Sequence, residues 1–134
     1  MFERNKAVIA KLPKLVREPD GAAILQLFTE DFRLHDVKYP DWPRGHAGAI
    51  RMFEQMHSLA PDIDLRIEDL FGDDEKVCVR RRYRGTLTGA FEGRTGDGSR
   101  FEAIGISIYR FESGRIAEDW GADVALPAEH PWRT

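Results

Sequence analysis

The sequence predicts an α+β domain, with about three N-terminal helices packed on the concave face of a curved antiparallel sheet. Two observations carry this reading. Apolar residues recur with a helical period as far as Ser58, and from Ile63 onward they alternate with polar ones. Gly85 and Gly89 then fall inside the longest alternating run, where glycines mark bends or bulges in a strongly curved strand. Such a sheet, with helices folded across its concave side, leaves a conical cavity. At 134 residues the chain is expected to form one domain, 1–134, long enough to bury a real core.

Taken in order, Val8, Ile9, Leu12, Leu15 and Val16 give the first helix one flat apolar face, and Pro13 is expected to kink or split it. Pro19-Asp20-Gly21 is a turn, and Asp20 is placed to cap a second helix from Ala22 to Phe28. A short strand, Phe32 to Val37, carries His35 and Asp36. The stretch Lys38–Gly48 is irregular, with two prolines and two glycines around Tyr39, Trp42 and His46. Aromatics on such a loop serve either as a lid over a cavity or as a plug for the open end of the core. The third helix spans roughly Ala47 to Ser58, and Ile63, Leu65 and Ile67 define the half-buried strand after it.

A turn at Gly72-Asp73-Asp74 leads to a strand from Lys76 to Thr88. Val77, Val79, Arg81 and Tyr83 share one phase of it, and Cys78, Arg80, Arg82 and Arg84 share the other. Asp97-Gly98 is a type I′ turn signal. The last two strands run through Phe101–Asp123 and are joined at Glu112-Ser113-Gly114, and 124–134 reads as an irregular tail.

Composition excludes several classes of function. The net charge of −3 argues against a nucleic-acid partner, and the clustered arginines are split between two faces of their strand. The single cysteine, Cys78, excludes an internal disulfide and reads as a buried, inert thiol. No apolar run approaches the ~18 residues that a membrane span requires, and the start of the chain lacks a signal-peptide pattern. The expected location is cytoplasmic. His46, His57 and His130 lack metal-ligand spacing, so no metal is expected.

Chemistry points to the last hairpin. One phase of its first strand gives up side-chain volume at Ala103, Gly105 and Ser107, while the second strand offers Asp119 and Asp123 in one phase. That combination predicts a pocket wall. A carboxylate in an apolar cone has a raised pKa, the condition for a general base near neutral pH. Arg81 and Tyr83 lie on the apolar phase of their strand, and a buried arginine there must pair with an acid or an anion; Asp119 is the expected partner.

The chain resembles the SnoaL-like polyketide cyclases of the nuclear-transport-factor-2-like superfamily, whose fold is a cone-shaped α+β domain. The residues carrying the resemblance are Asp31-Phe32 with His35, Gly45, Ala60-Pro61-Asp62, Lys76–Arg80 and Gly85-Thr86-Leu87-Thr88-Gly89. They continue through Asp97-Gly98, Gly105–Phe111 and Ser113-Gly114-Arg115-Ile116 to Glu118-Asp119-Trp120. Members that close polyketide rings are thought to use an aspartate on the last strand and a histidine on the strand before it. Carried over, those positions are Gly121 and Ser107, neither of which can act as that acid or base.

The resemblance implies a cofactor-independent enzyme acting by acid/base chemistry on a hydrophobic, ring-bearing small molecule: cyclisation, isomerisation, dehydration, or aldol or retro-aldol cleavage. Because 121 would face the cavity, 119 and 123 face it too. The expected catalytic set is Asp119 as base, His35 as partner acid or orienting group, and Asp123 near the mouth. Tyr39, Trp42, Arg81, Tyr83 and Ser107 are expected to contact substrate. Two alternatives stand beside this: an epoxide-hydrolase-like use of Asp119, Asp123 and Arg81, and a non-catalytic ligand-binding or dimer scaffold. The resemblance also implies a homodimer through the outer face of the sheet.

Overall fold

A computed structural model describes residues 1–90, 96–127, 129–130 and 132. Four helical segments, α1 (Phe2–Ile9), α2 (Leu12–Arg17), α3 (Gly21–Leu27) and α4 (His46–Leu59), accompany five strands. The strands are β1 (Phe28–His35), β2 (Asp64–Gly72), β3 (Lys76–Thr86), β4 (Arg100–Glu112) and β5 (Arg115–Ala125). They form one open sheet in the order β1-β5-β4-β3-β2. β2 to β5 make an antiparallel meander, and β1 adds to its edge in parallel with β5.

Local chemistry explains most boundaries. Pro13 splits the first expected helix: it sits in the first turn of α2, where its missing N–H breaks no helical bond. Asp20 caps α3, its carboxylate accepting from the backbone N–H of Ala22 at 3.1 Å and of Ala23 at 3.4 Å. Phe28 belongs to β1 rather than to that helix, so the strand starts four residues earlier than the sequence suggested. Gly45 is the N-cap of α4; its φ of +80° would strain any other residue, and its N–H donates to Phe32 O at 2.7 Å.

Three local expectations need correction. The type I′ geometry belongs to Ser113-Gly114 (φ +50° and +78°), whereas Asp97 does not adopt a positive φ. β3 and β4 are joined by 87–99, of which 91–95 lie outside the described residues. Nor does β3 bulge at Gly85: its pairing with β4 runs unshifted from Lys76↔Arg110 to Thr86↔Arg100. Gly85 is small because a Cβ there would lie 3.0 Å from the Ala60 Cβ and 3.1 Å from the Phe101 ring. Finally, β5 extends to Ala125, two residues into the expected tail; 128, 131, 133 and 134 of that tail lie outside the described residues.

Within the meander the register shifts fall instead at Glu68 in β2 and Ala117 in β5, and the β1–β5 pairing shifts between Phe28 and Arg33. The second matters most for function. Phe111 pairs with Ile116 and Arg110 with Glu118, so Ala117 is the extra residue of a bulge. A strand of unbroken period two would put Ile116, Glu118 and Trp120 on one face. The bulge reverses the phase, so Ile116 faces the core and Asp119, Gly121 and Asp123 face it as well.

The helices cover the concave face and pack on Ile9, Ile24, Phe28, Phe32, Phe53, Ile63, Phe101 and Ile116. Phe28 makes edge-to-face contacts with Phe32 and Phe53 at centroid distances of 4.9 and 5.8 Å. α2 and α4 do not close fully on the sheet, and the space between them is the cavity. Among the described residues, no helix is long and apolar enough to cross a membrane.

Candidate active site

The cavity holds about 470 Å³ and is apolar over most of its wall: Val16, Met52, Phe53, Met56, Leu59 and Ile63 are typical of it. Its buried polar groups converge on one patch of the sheet, and the register shows how. On β5 the inward positions are Asp119, Gly121 and Asp123; opposite them on β4 stand Tyr109, Ser107 and Gly105. On β3, Val79 faces Ser107, Arg81 faces Gly105 and Tyr83 faces Ala103.

Two residues without side chains let this grid work. Arg81 reaches across Gly105 to Asp123, its Nε donating to Oδ1 at 2.9 Å. A Cβ on Gly105 would sit 1.8 Å from that oxygen. Arg81 Nη1 donates to Ser107 Oγ at 2.6 Å, and Ser107 in turn leans over Gly121, where a Cβ would lie 2.1 Å from Oγ. The ion pair expected between Arg81 and Asp119 is therefore made with Asp123 (Arg81 side chain 7% exposed, Asp123 26%), and Asp119 is reached through Ser107. The reason is register: Arg81 and Asp123 share a row of the sheet, whereas Asp119 lies two rows away.

Asp119 itself is buried, and its Oδ1 has no hydrogen-bond partner. Burial pushes its carboxyl up to about 6, opposed by the Arg81 charge and by hydrogen bonding from Ser107, and reinforced by Asp123 and Asp36. Burial likewise pushes the phenols of Tyr83 and Tyr109 up, so both remain hydrogen-bond donors at neutral pH. Arg81 lies 5.8 Å from the centroid of the Tyr83 ring, a cation–π contact that helps hold the guanidinium inside.

Tyr39 and Trp42 line the cavity with their rings 5.2 Å apart. Trp42 is tied down by its indole N–H, which donates to Gly48 O at 3.0 Å, and by Arg51 stacked over it at 5.0 Å. The loop thus forms part of the cavity wall near the mouth. Asp36 and Lys38 join it there, Lys38 Nζ donating to the backbone oxygen of Asp123 at 2.7 Å.

His35 is the expectation that the structure reverses. Successive strand residues face opposite ways, and Leu34 takes the cavity side opposite Asp119. His35 lies on the outer side, where Nε2 bonds Glu118 Oε2 at 2.6 Å and the ring stacks on Trp120 at 5.0 Å. The sheet stands between it and Asp119, so it cannot serve as the partner acid. His35→Ala is expected to leave turnover within about twofold of wild type while lowering the melting temperature by a few degrees. A tenfold loss of kcat would contradict this placement.

Tyr109 is the residue the sequence reading missed. It continues the phase of Gly105 and Ser107 and sits directly opposite Asp119. Among the described residues, no three His, Cys, Asp or Glu side chains converge for a metal ion.

A cone of curved sheet and helices around an internal cavity, with Asp119 buried in its wall, defines the class: a nuclear-transport-factor-2-like α+β domain. The SnoaL-like polyketide cyclase profile matches residues 7–126, and the chain belongs to that family. Among solved structures it is similar to TsrD from Streptomyces laurentii (21% identity, TM-score 0.80, covering 90% of this chain and 88% of that one). It is also similar to IdmH from Streptomyces antibioticus, described as a candidate polyketide cyclase (25% identity, TM-score 0.73, 89% and 91% covered). AclR from Streptomyces galilaeus, described as a candidate hydroxylase, shares the fold at 20% identity (TM-score 0.74, 92% and 80% covered). No match is found among curated proteins.

Proposed function

We propose that this protein is a cofactor-independent enzyme that moves a proton next to a carbonyl or hydroxyl on a hydrophobic, ring-bearing small molecule. The carrying observation is Asp119: a buried carboxyl at the polar end of an apolar cavity, with an unpartnered Oδ1 and a pKa lifted to about 6. Such a group is ionised at neutral pH yet basic enough to accept a proton. Arg81 and Tyr109 surround it with donors for the oxygen on which negative charge develops. Proton abstraction and return of this kind underlie isomerisation, dehydration, and aldol or retro-aldol steps, and Asp119 takes the role that Gly121 cannot.

The direct experiment is exchange of the α-hydrogens of a bicyclic ketone such as 1-tetralone in D₂O, followed by NMR. Enzyme-dependent exchange whose rate rises with pH through about 6 is expected. A panel of such ketones exchanging no faster than in buffer would overturn the reading.

Hydrolysis of an epoxide is a second reading, favoured by one observation: a single cation, Arg81, links Asp123 directly and Asp119 through Ser107. The Asp123 carboxylate takes a proton from the attacking water while the protonated form of Asp119 gives its proton to the opening epoxide oxygen. Conversion of styrene oxide to its diol, lost in Asp119→Asn, would select this chemistry over exchange.

The assembly proposed is a cytoplasmic homodimer. Ile106, Ile108, Trp120 and Val124 stand exposed side by side on the outer face of β4 and β5. Ile106→Glu is therefore expected to halve the mass measured by light scattering after size exclusion. Elution of the wild type at monomer mass would refute the dimer.

A further inference from the structure

Apart from the polar patch on the sheet and the polar side chains of Asp36, Lys38, Tyr39, Gln55 and Ser58, the cavity wall is largely hydrocarbon, and the patch is where buried polar groups can orient a ligand. At the centre of that patch is an absence. Gly121 leaves bare backbone where its neighbours in the same phase carry carboxylates; Ser107 Oγ takes up the place a Cβ would need, 2.1 Å from it, and Asp119 Oδ1 stands beside that place at 3.0 Å. Tyr109 stands on β4 directly across from Asp119, and its hydroxyl hydrogen-bonds Ser107. Ser107 accepts from Arg81 and gives its one proton to Asp119, so toward a ligand hydroxyl it offers its remaining lone pair. Asp119 Oδ1 is buried without any partner, an unmet acceptor that a ligand hydroxyl would satisfy.

We propose that Asp119 Oδ1, Ser107 Oγ and the Tyr109 hydroxyl, set around the bare backbone of Gly121, form a subsite for one oxygen substituent on an otherwise apolar fused-ring ligand. This rests on the reading of the cavity as a small-molecule site and sharpens it into a substrate class: phenols, enols and cyclic alcohols seated oxygen-first. A hydroxyl is preferred over an ether, because only the hydroxyl can donate to Oδ1. The preference strengthens as Asp119 ionises, since a carboxylate accepts more strongly than a carboxylic acid.

The groups that set this titration come from each element around the cavity. They are Asp36 and Lys38 before α4, Arg81 and Tyr83 on β3, Tyr109 on β4 and Asp123 on β5. The residues by which α2 and α4 line the cavity are not titratable.

The test compares binding of 2-naphthol and 2-methoxynaphthalene by calorimetry at pH 5 and pH 7.5. The expected result is at least tenfold tighter binding of 2-naphthol at pH 7.5, narrowing at pH 5. In Asp119→Asn and in Ser107→Ala, each checked for fold by circular dichroism, the preference falls below threefold. Equal affinity for the two probes, a preference that survives Asp119→Asn, or failure of both probes to bind at millimolar concentration would overturn the proposal. Because neither probe reacts, the outcome is separate from the exchange assay. Loss of exchange in Asp119→Asn with the naphthol preference intact would sink the subsite and leave the catalytic role standing.

Discussion

Asp119→Asn is expected to abolish ketone exchange and, at the same time, to make the protein more stable near pH 7. The first effect follows from removing the group that accepts the proton, for which a loss of about 10²–10⁴-fold in kcat is typical. The second follows from the cost of holding a carboxylate inside an apolar cavity. Its pKa is about 6 in the folded protein against 3.8 for the free side chain. Between those values the native state binds a proton that the unfolded chain has released, so stability falls as pH rises through this window. Above about 6 the penalty is complete, and a shift of this size corresponds to about 3 kcal/mol. Asparagine is neutral at every pH and of nearly the same shape, so it removes the penalty without opening a void. Urea unfolding at pH 7 should therefore favour the variant by about 2–3 kcal/mol, and the gain should shrink as the pH is lowered toward 4. Equal stability of the two proteins at pH 7 would mean that Asp119 is not strained by its burial. Retained exchange would end its assignment as the base.

The fold was legible because each of its features is written locally. Pro13 splitting a helix, Asp20 capping one, and the alternation of β3 all act within a few residues. The polar patch was half legible. Small residues facing acids foretold the pocket wall, and period two carried Asp119 and Asp123 onto the cavity side together. What period two cannot reveal is which phase a strand presents after a bulge. The Ala117 bulge sets that phase, and no residue in the stretch announces it. The same blindness misplaced His35, whose orientation depends on a parallel pairing of β1 with β5 across most of the chain. Arg81 was rightly read as a buried arginine in need of an acid. Its partner was misjudged because the choice between Asp119 and Asp123 is a matter of register, with Gly105 deciding which row is open.

Arg81→Met is expected to be the most damaging single change in the patch. Methionine fills much of the same volume, so the loss is electrostatic rather than a cavity. It leaves the Asp123 carboxylate, 26% exposed, without its cation, and takes from Ser107 the donor that fixes its rotamer. Removing one partner of a buried pair typically costs about 3–5 kcal/mol; partial exposure of Asp123 places this case near 3. The double variant Arg81→Met, Asp123→Leu separates the causes. If the cost is an uncompensated charge, the second substitution should restore at least half of the lost stability, because two apolar groups replace an ion pair with little net penalty. If Arg81 matters only as packing, the two losses should simply add. The single variant has a kinetic signature as well. The Arg81 charge opposes the upward shift of Asp119, so without it the inflection in the pH–rate profile moves above 6. An unmoved inflection would show that the Arg81–Ser107 arm does not reach the base electrostatically, and would confine Arg81 to holding β3 against β5.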